Sequence, residues 1–410
     1  YTGGQVGAFL TYAFGTGYPV PPVDPVTKQE VARTIVGGGG IGATGQRIPE
    51  VDGDGNPIAG KPGTMSQWRV RNGFSPNVLG FGVRKQITPD LKIKAHFSIW
   101  GTIEPPGQQK FAGITTDFRE GYGQVEGNWG SVTLGRHLGL FSRGIVEMDF
   151  LYAHQYGVGY HGGGNLAVNG PTAGLIGFGV LAAFFQPGIM YSTPTLAGVQ
   201  LNVGVYDPVQ MAGSWDVALS PRPEFELTYN YKSDAVFAKV FVNGAYQKLY
   251  QIANPKIDET MVGVGYGGRL EFGPFHFGAG GHYGPGLGLY YAMEGGPTVV
   301  GPDVVNMGQP ARELRTFDGF SAFAQYSPGK FDINLAFGQS RVHLLETDKS
   351  GPQAAANTIV KTQTGISAGF VYHVTEKLHW DIDFMRAMFR WYKGEAQDVN
   401  FINTGITLQW

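Results

Sequence analysis

The sequence predicts an all-β chain closed into a 16-stranded antiparallel transmembrane β-barrel with an inward-folded third loop, one domain over residues 1–410. Three observations predict it. The stretch Leu91–Ile103 alternates strictly: Leu91, Ile93, Ala95, Phe97, Ile99 and Ile103 point one way, and Lys92, Lys94, His96, Ser98 and Thr102 the other. A period of two held over that length is a strand with one oily and one wet face. The connections after Asp90 alternate between tight turns and long loops, the pattern of a barrel with one short-looped end. The longest apolar run, 174–185, falls well short of the ~20 residues a spanning helix needs, so a membrane role requires a closed barrel.

Each element follows in order. A first strand runs from about Gln5 to Phe14, and a polar segment rich in Gly and Pro covers Gly15 to Gln67. Trp68 to Thr88 returns to strand pattern, with Ser75-Pro76 as a break, and Pro89-Asp90 makes a tight turn. Further turns fall at Asn128–Ser131, Leu196–Gly198, Ser233–Asp234, Gly273–Pro274, Ser327–Lys330 and Thr375–Lys377. Seven turns and eight loops give fifteen connections, hence sixteen strands. The alternation holds at Phe225, Leu227, Tyr229 and Tyr231 against Glu224, Glu226, Thr228 and Asn230, and at Phe331–Phe337. Phe237 and Phe241 share the side of Lys239 and Asn243. Phe389 and Trp391 oppose the parity of Leu378–Phe384, which calls for a bulge near Phe384–Arg386.

Composition narrows the function classes. Glycine reaches 65 residues and aromatics 13%, while charged residues are only 15%, unlike a soluble helical enzyme. The chain has no cysteine, which excludes disulfides and thiolate metal sites. A formal net charge of −2 with scattered basic residues leaves no nucleic-acid footprint. Tyr1 opens directly on strand pattern, so the sequence reads as a mature chain. Gly37–Gly40 lacks the strand and helix that phosphate binding needs, and no cofactor is called for.

The segment Leu138 to Phe185 has no clear strand pattern, and an irregular stretch of that size is usually functional. Just before it, Gly121-Tyr-Gly-Gln-Val-Glu-Gly-Asn-Trp-Gly-Ser-Val-Thr-Leu-Gly-Arg136 resembles the fourth and fifth strands of Gram-negative general porins. Asn77-Val-Leu-Gly-Phe-Gly-Val-Arg-Lys with Leu91-Lys-Ile-Lys-Ala-His-Phe is similar to the second and third, and Phe401-Ile-Asn-Thr-Gly-Ile-Thr-Leu-Gln-Trp410 to the closing strand. The resemblance implies an integral protein of a Gram-negative outer membrane. It implies a homotrimer in contact with the lipid bilayer and lipopolysaccharide, passing small hydrophilic solutes and ions without a chemical step.

The resemblance also places a constriction within about 138–185. Glu147 and Asp149 are its acidic candidates, facing Arg136 across the lumen. Val132 and Leu134 share the parity of Arg136, so a bulge at Gly135 is needed to turn it inward. Arg84, Lys92, Lys94 and His96 are the basic wall candidates. Two further arginines usual in general porins are replaced here by Val78 and Met190, so the basic ladder is thinner and no ion preference carries over.

Other readings stay open. Tyr152, Tyr156 and Tyr160, four apart, suit contacts in a substrate-specific channel for a sugar or peptide. A barrel hydrolase would need paired Ser/His or Asp/His groups at an outer strand end, and adjacent strands offer no compelling set. A soluble all-β binding protein is a further alternative. Asp52, Asp54 and Asn56 resemble the start of a calcium loop, but position six lacks glycine and the distal glutamate is missing. Turn chemistry is the plainer reason for them.

Overall fold

The computed structural model describes residues 1–17, 23–28, 34–36, 48–73, 77–101, 103, 116–148, 150, 174–183, 185–208, 215–217, 220–251, 258–289, 314–350 and 357–410. The strand that alternates most cleanly sets the pattern of the wall. On it Phe97 is 45% exposed and Ser98 only 1%. The apolar face is therefore the outer one and the polar face the buried one, the reverse of a soluble sheet and the arrangement that lipid demands.

Sixteen strands build the wall. They are β1 (Thr2–Thr16), β2 in two segments (Thr64–Arg71 and Asn77–Thr88), β3 (Leu91–Gly101), β4 (Thr116–Gly127), β5 (Gly130–Leu138), β6 (Phe185–Ser192), β7 (Val199–Tyr206) and β8 (Arg222–Lys232). They continue with β9 (Val236–Gln251), β10 (Asp258–Phe272), β11 (Phe275–Pro285), β12 (Thr316–Tyr326), β13 (Phe331–Val342), β14 (Asn357–His373), β15 (Leu378–Trp391) and β16 (Ala396–Gln409). Each pairs antiparallel with its sequence neighbour, and β16 closes on β1 from Gln5↔Gln409 to Gly15↔Val399. Closure removes the unpaired edges that lipid cannot satisfy. Two three-residue strands are appended outside this count. Thr34–Val36 runs parallel to the start of β14, and Trp215–Val217 pairs with the end of β9.

The seven short turns each join consecutive strands at one end of the barrel, and the alternate connections, most of them longer, join the strands at their other ends. Both β2 segments pair with β1, on either side of a break that includes Ser75-Pro76; residues 74–76 lie outside the described residues. Two helices complete the described structure, α1 (Arg143–Met148) and α2 (Glu346–Lys349).

Two expected bulges are absent. The pairing of β5 runs unbroken across Gly135 to both neighbours, from Leu134↔Gly123 to Arg136↔Gly121 and on to Pro187. Gly135 takes a φ of +118°, a conformation open to glycine, and absorbs the twist without skipping a residue. Arg136 therefore keeps the outward parity of Leu134. The irregularity lies one strand away, where Ser98 pairs with Glu120 and Ile99 with Phe118, so that Arg119 is the extra residue of β4 in this register. That bulge turns Asp117 and Arg119 inward. The second correction concerns Phe384–Arg386, where β15 is regular against both β14 and β16. Phe389 and Trp391 are both buried on the inner face, and something apolar from outside the wall covers Phe389 there.

Candidate functional site: the lumen and its inward segment

The cover comes from the chain between β5 and β6. Its described parts, 139–148 and 174–183, lie against the inner wall and supply Leu140, Phe141, Ile145, Met148, Leu175, Phe178, Val180 and Leu181 to the buried apolar set. Helix α1 packs on β9, β10 and β11. It fits because Gly144 faces the Phe241 ring so closely that a Cβ there would stand 2.5 Å from ring carbons. Phe241, the misfit of its strand's polar face, is the seat of the helix.

The returning part, 174–183, crosses β12 to β15. Gly179 N donates to Ser340 Oγ at 2.8 Å, and Gln363 Nε2 donates to the carbonyl of Gly177 at 2.8 Å. The Phe178 carbonyl rests on Gly338, where an added Cβ would be overlapped by that oxygen. Inner positions of these strands are thus either small, to admit backbone, or apolar, to bury side chains.

Charged groups cluster where α1 meets the wall. Lys239 Nζ donates to Glu147 Oε2 at 2.5 Å, and Arg143 Nε lies 3.9 Å from Glu147 Oε1. Arg269, opposite Lys239 on β10, donates to the carbonyl of Glu147 at 3.5 Å, pairs with Glu271 and lies 5.0 Å over the Phe150 ring. The second Glu271 oxygen is 3.6 Å from His276 Nδ1. Burial opposes the charge on Arg143, but Glu226 beside it holds the guanidinium above its ordinary value.

The basic wall candidates lie around the barrel, on β2 and β3. Arg84 is opposite Lys94 and shares its inner face. Lys94 Nζ donates to Tyr122 OH at 2.7 Å, and Lys92 pairs with Glu126 at 3.0 Å. His96 Nε2 is 3.4 Å from Glu120, which also accepts from Ser98 Oγ at 2.8 Å.

Arg136 is not brought to Glu147. It stands at the loop-end rim, where its Nη1 donates to the carbonyl of Phe118 at 2.9 Å and lies 3.4 Å from Asp117 Oδ1. Asp149, Tyr152, Tyr156 and Tyr160 lie outside the described residues. Asp52 Oδ1 accepts from the backbone N–H of Asp54 and Asn56 at 3.0 and 2.8 Å, and the Asn56 N–H above all holds its carboxyl below the usual range. Its oxygen is engaged by its own turn, and among the described residues no group of three His, Asp or Glu is placed to hold a metal.

Lys239, Arg269, Glu271 and the buried Glu224 and Glu226 were not singled out by sequence. The available signal was parity: each is a charge on the wet face of an otherwise apolar strand. Which of them meet depends on lateral register, which no local pattern carries.

A family model described as Gram-negative porin matches residues 40–390. No curated protein matches the chain. Among solved structures, it is similar to the outer membrane channel DcaP of Acinetobacter baumannii, with a TM-score of 0.64 at 12% identity, covering 100% of this chain and 96% of that one. An anion-selective porin from Comamonas acidovorans gives a TM-score of 0.59 at 14% identity, covering 100% and 99%. The trimer form of OmpT from Vibrio cholerae gives 0.52 at 9% identity, covering 100% and 98%.

Proposed function

Because the chain belongs to the Gram-negative porins, integral channel proteins of the outer membrane, we propose that it is a passive pore for small hydrophilic solutes and ions, selecting by size and charge inside the barrel. The observation that supports this most is the apolar docking of residues 139–148 and 174–183 on the inner wall. A segment fixed there takes cross-section from the lumen, and it carries Glu147 with it.

The charged set at the narrowing is Glu147 with Lys239 and Arg269, in place of Arg136. Arg84, Lys92, Lys94 and His96 line the facing wall. In a narrow, poorly screened lumen, charges a few ångströms from a passing ion act with ~1–4 kcal/mol, depending on the effective dielectric. The channel catalyses no reaction in this reading. A homotrimer is proposed from the likeness to OmpT, which has a trimer form. Lipid on the outer face, with lipopolysaccharide at the loop end, completes the set of partners.

The experiment is planar-bilayer conductance with reversal potentials in a salt gradient. Stepwise, ohmic channels whose reversal potential moves on Glu147→Gln support the reading. Purified, folded protein that forms no channels ends it.

A further inference from the structure

Glu224 and Glu226 lie on the inner face of β8, both almost fully buried, and the proposed pore has no role for them. Burying a carboxylate is costly unless its oxygens are met. These are met by the chain that enters the lumen. Glu224 Oε2 accepts from the backbone N–H of Leu140 at 2.7 Å and of Phe141 at 2.9 Å. Its Oε1 accepts from Arg222 at 2.6 Å and from Gln186 Nε2 at 3.2 Å. Glu226 Oε1 accepts from Nε of Arg143 at 3.1 Å and, more closely, from its Nη2. Ser142 N lies 3.4 Å from Asn243 Oδ1.

We propose that Glu224 and Glu226 form an ionic latch, positioning residues that pin the first turn of the inward segment and so hold the channel in one aperture. The proposal rests on the reading that this segment narrows the lumen. The contacts are consecutive along the chain: Leu140 and Phe141 to Glu224, Ser142 to Asn243, Arg143 to Glu226. Four adjacent residues, the last of them the first residue of α1, are thus fixed to the wall. Charge-assisted bonds to backbone N–H groups are about twice as strong as neutral ones. They also orient the segment, which the non-directional packing of α1 cannot do.

Arg222 is 1% exposed, and among the described residues its Nε and Nη1 have no hydrogen-bond partner and Glu224 is the carboxylate that pairs with it. Removing that carboxylate takes this counter-charge from the buried Arg222 and leaves two amides without their acceptor. The segment then gains by moving away and admitting water.

Two measurements on Glu224→Ala in the full-length, detergent-folded protein test this, with heat-modifiability confirming an intact barrel. Hydrogen exchange at the Leu140 and Phe141 amides should accelerate by about tenfold or more, the scale of one charge-assisted hydrogen bond. Single-channel traces should acquire substates and open-channel noise absent from the parent. Glu224→Gln keeps an acceptor for both amides while losing the ion pair; it should fall between, and it serves if the alanine variant does not assemble. Unchanged exchange in an assembled variant overturns the latch. Faster exchange with a quiet, unaltered channel leaves the contacts intact as described but shows that this segment does not border the aperture, which overturns the proposed constriction instead.

Discussion

The ring of Phe178 meets that of Phe389 edge-on, with centroids 5.5 Å apart and planes at 66°. One ring belongs to the chain between β5 and β6, the other to β15 near the far side of the sequence. The contact accounts for the parity that fails on β15: Phe389 is an inward aromatic because Phe178 lies on it. Phe389→Ala should cost the docked segment roughly 3–5 kcal/mol in lost burial and cavity. Limited proteolysis between 174 and 183 should become easier while heat-modifiable barrel persists. Phe384→Ala, on the lipid face of the same strand, should leave that cleavage unchanged, and equal effects of both would remove the distinction.

The seat of α1 makes a second, reciprocal prediction. Gly144→Ala places a Cβ 2.5 Å from the Phe241 ring and must displace either the helix or the ring. Conductance should change in the single variant and return toward the parent in Gly144→Ala combined with Phe241→Ala. Such rescue is expected of residues in contact, where effects do not add. Independent effects in the double variant would show that the two do not share a site.

Charge selection should follow Glu147, Lys239 and Arg269. Glu147→Gln should shift permeability toward anions, and Lys239→Gln with Arg269→Gln toward cations. Arg136→Gln should change the reversal potential less than either, because its guanidinium is engaged with Phe118 and Asp117 at the rim. Salt should blunt all of these, since the Debye length is only ~10 Å at 0.1 M. A reversal potential that moved only for Arg136→Gln would return the constriction to the rim.

The wall itself is tested by neighbouring residues of β3. Phe97→Arg puts a cation into lipid, at a cost of ~2–4 kcal/mol near the midplane, and should lower the yield of folded barrel. Ser98→Arg points inward beside Glu120, which already accepts from the serine hydroxyl. That variant should assemble and alter conductance. Equal yields and equal conductance from the two would contradict the observed alternation.

By itself the sequence determined the wall. Strand after strand, a period of two sorts side chains to lipid or lumen, and Gly, Pro, Asn and Asp mark the turns, because both signals are local and repeat. The number of strands and their antiparallel order followed, as did the family, whose motifs lie within single strands. Only the tertiary structure decided what fills the lumen. Phe241 and Phe389 break the parity of their strands because chain remote in sequence lies on them. The bulge expected at Gly135 belongs instead opposite Ser98–Ile99, because a glycine with positive φ absorbs twist that another residue would relieve by skipping register. Glu147 met Lys239 and not Arg136 for the same reason: partners across a lumen are set by where a docked segment comes to rest. That depends on contacts between residues far apart in the chain, and local alternation does not encode them.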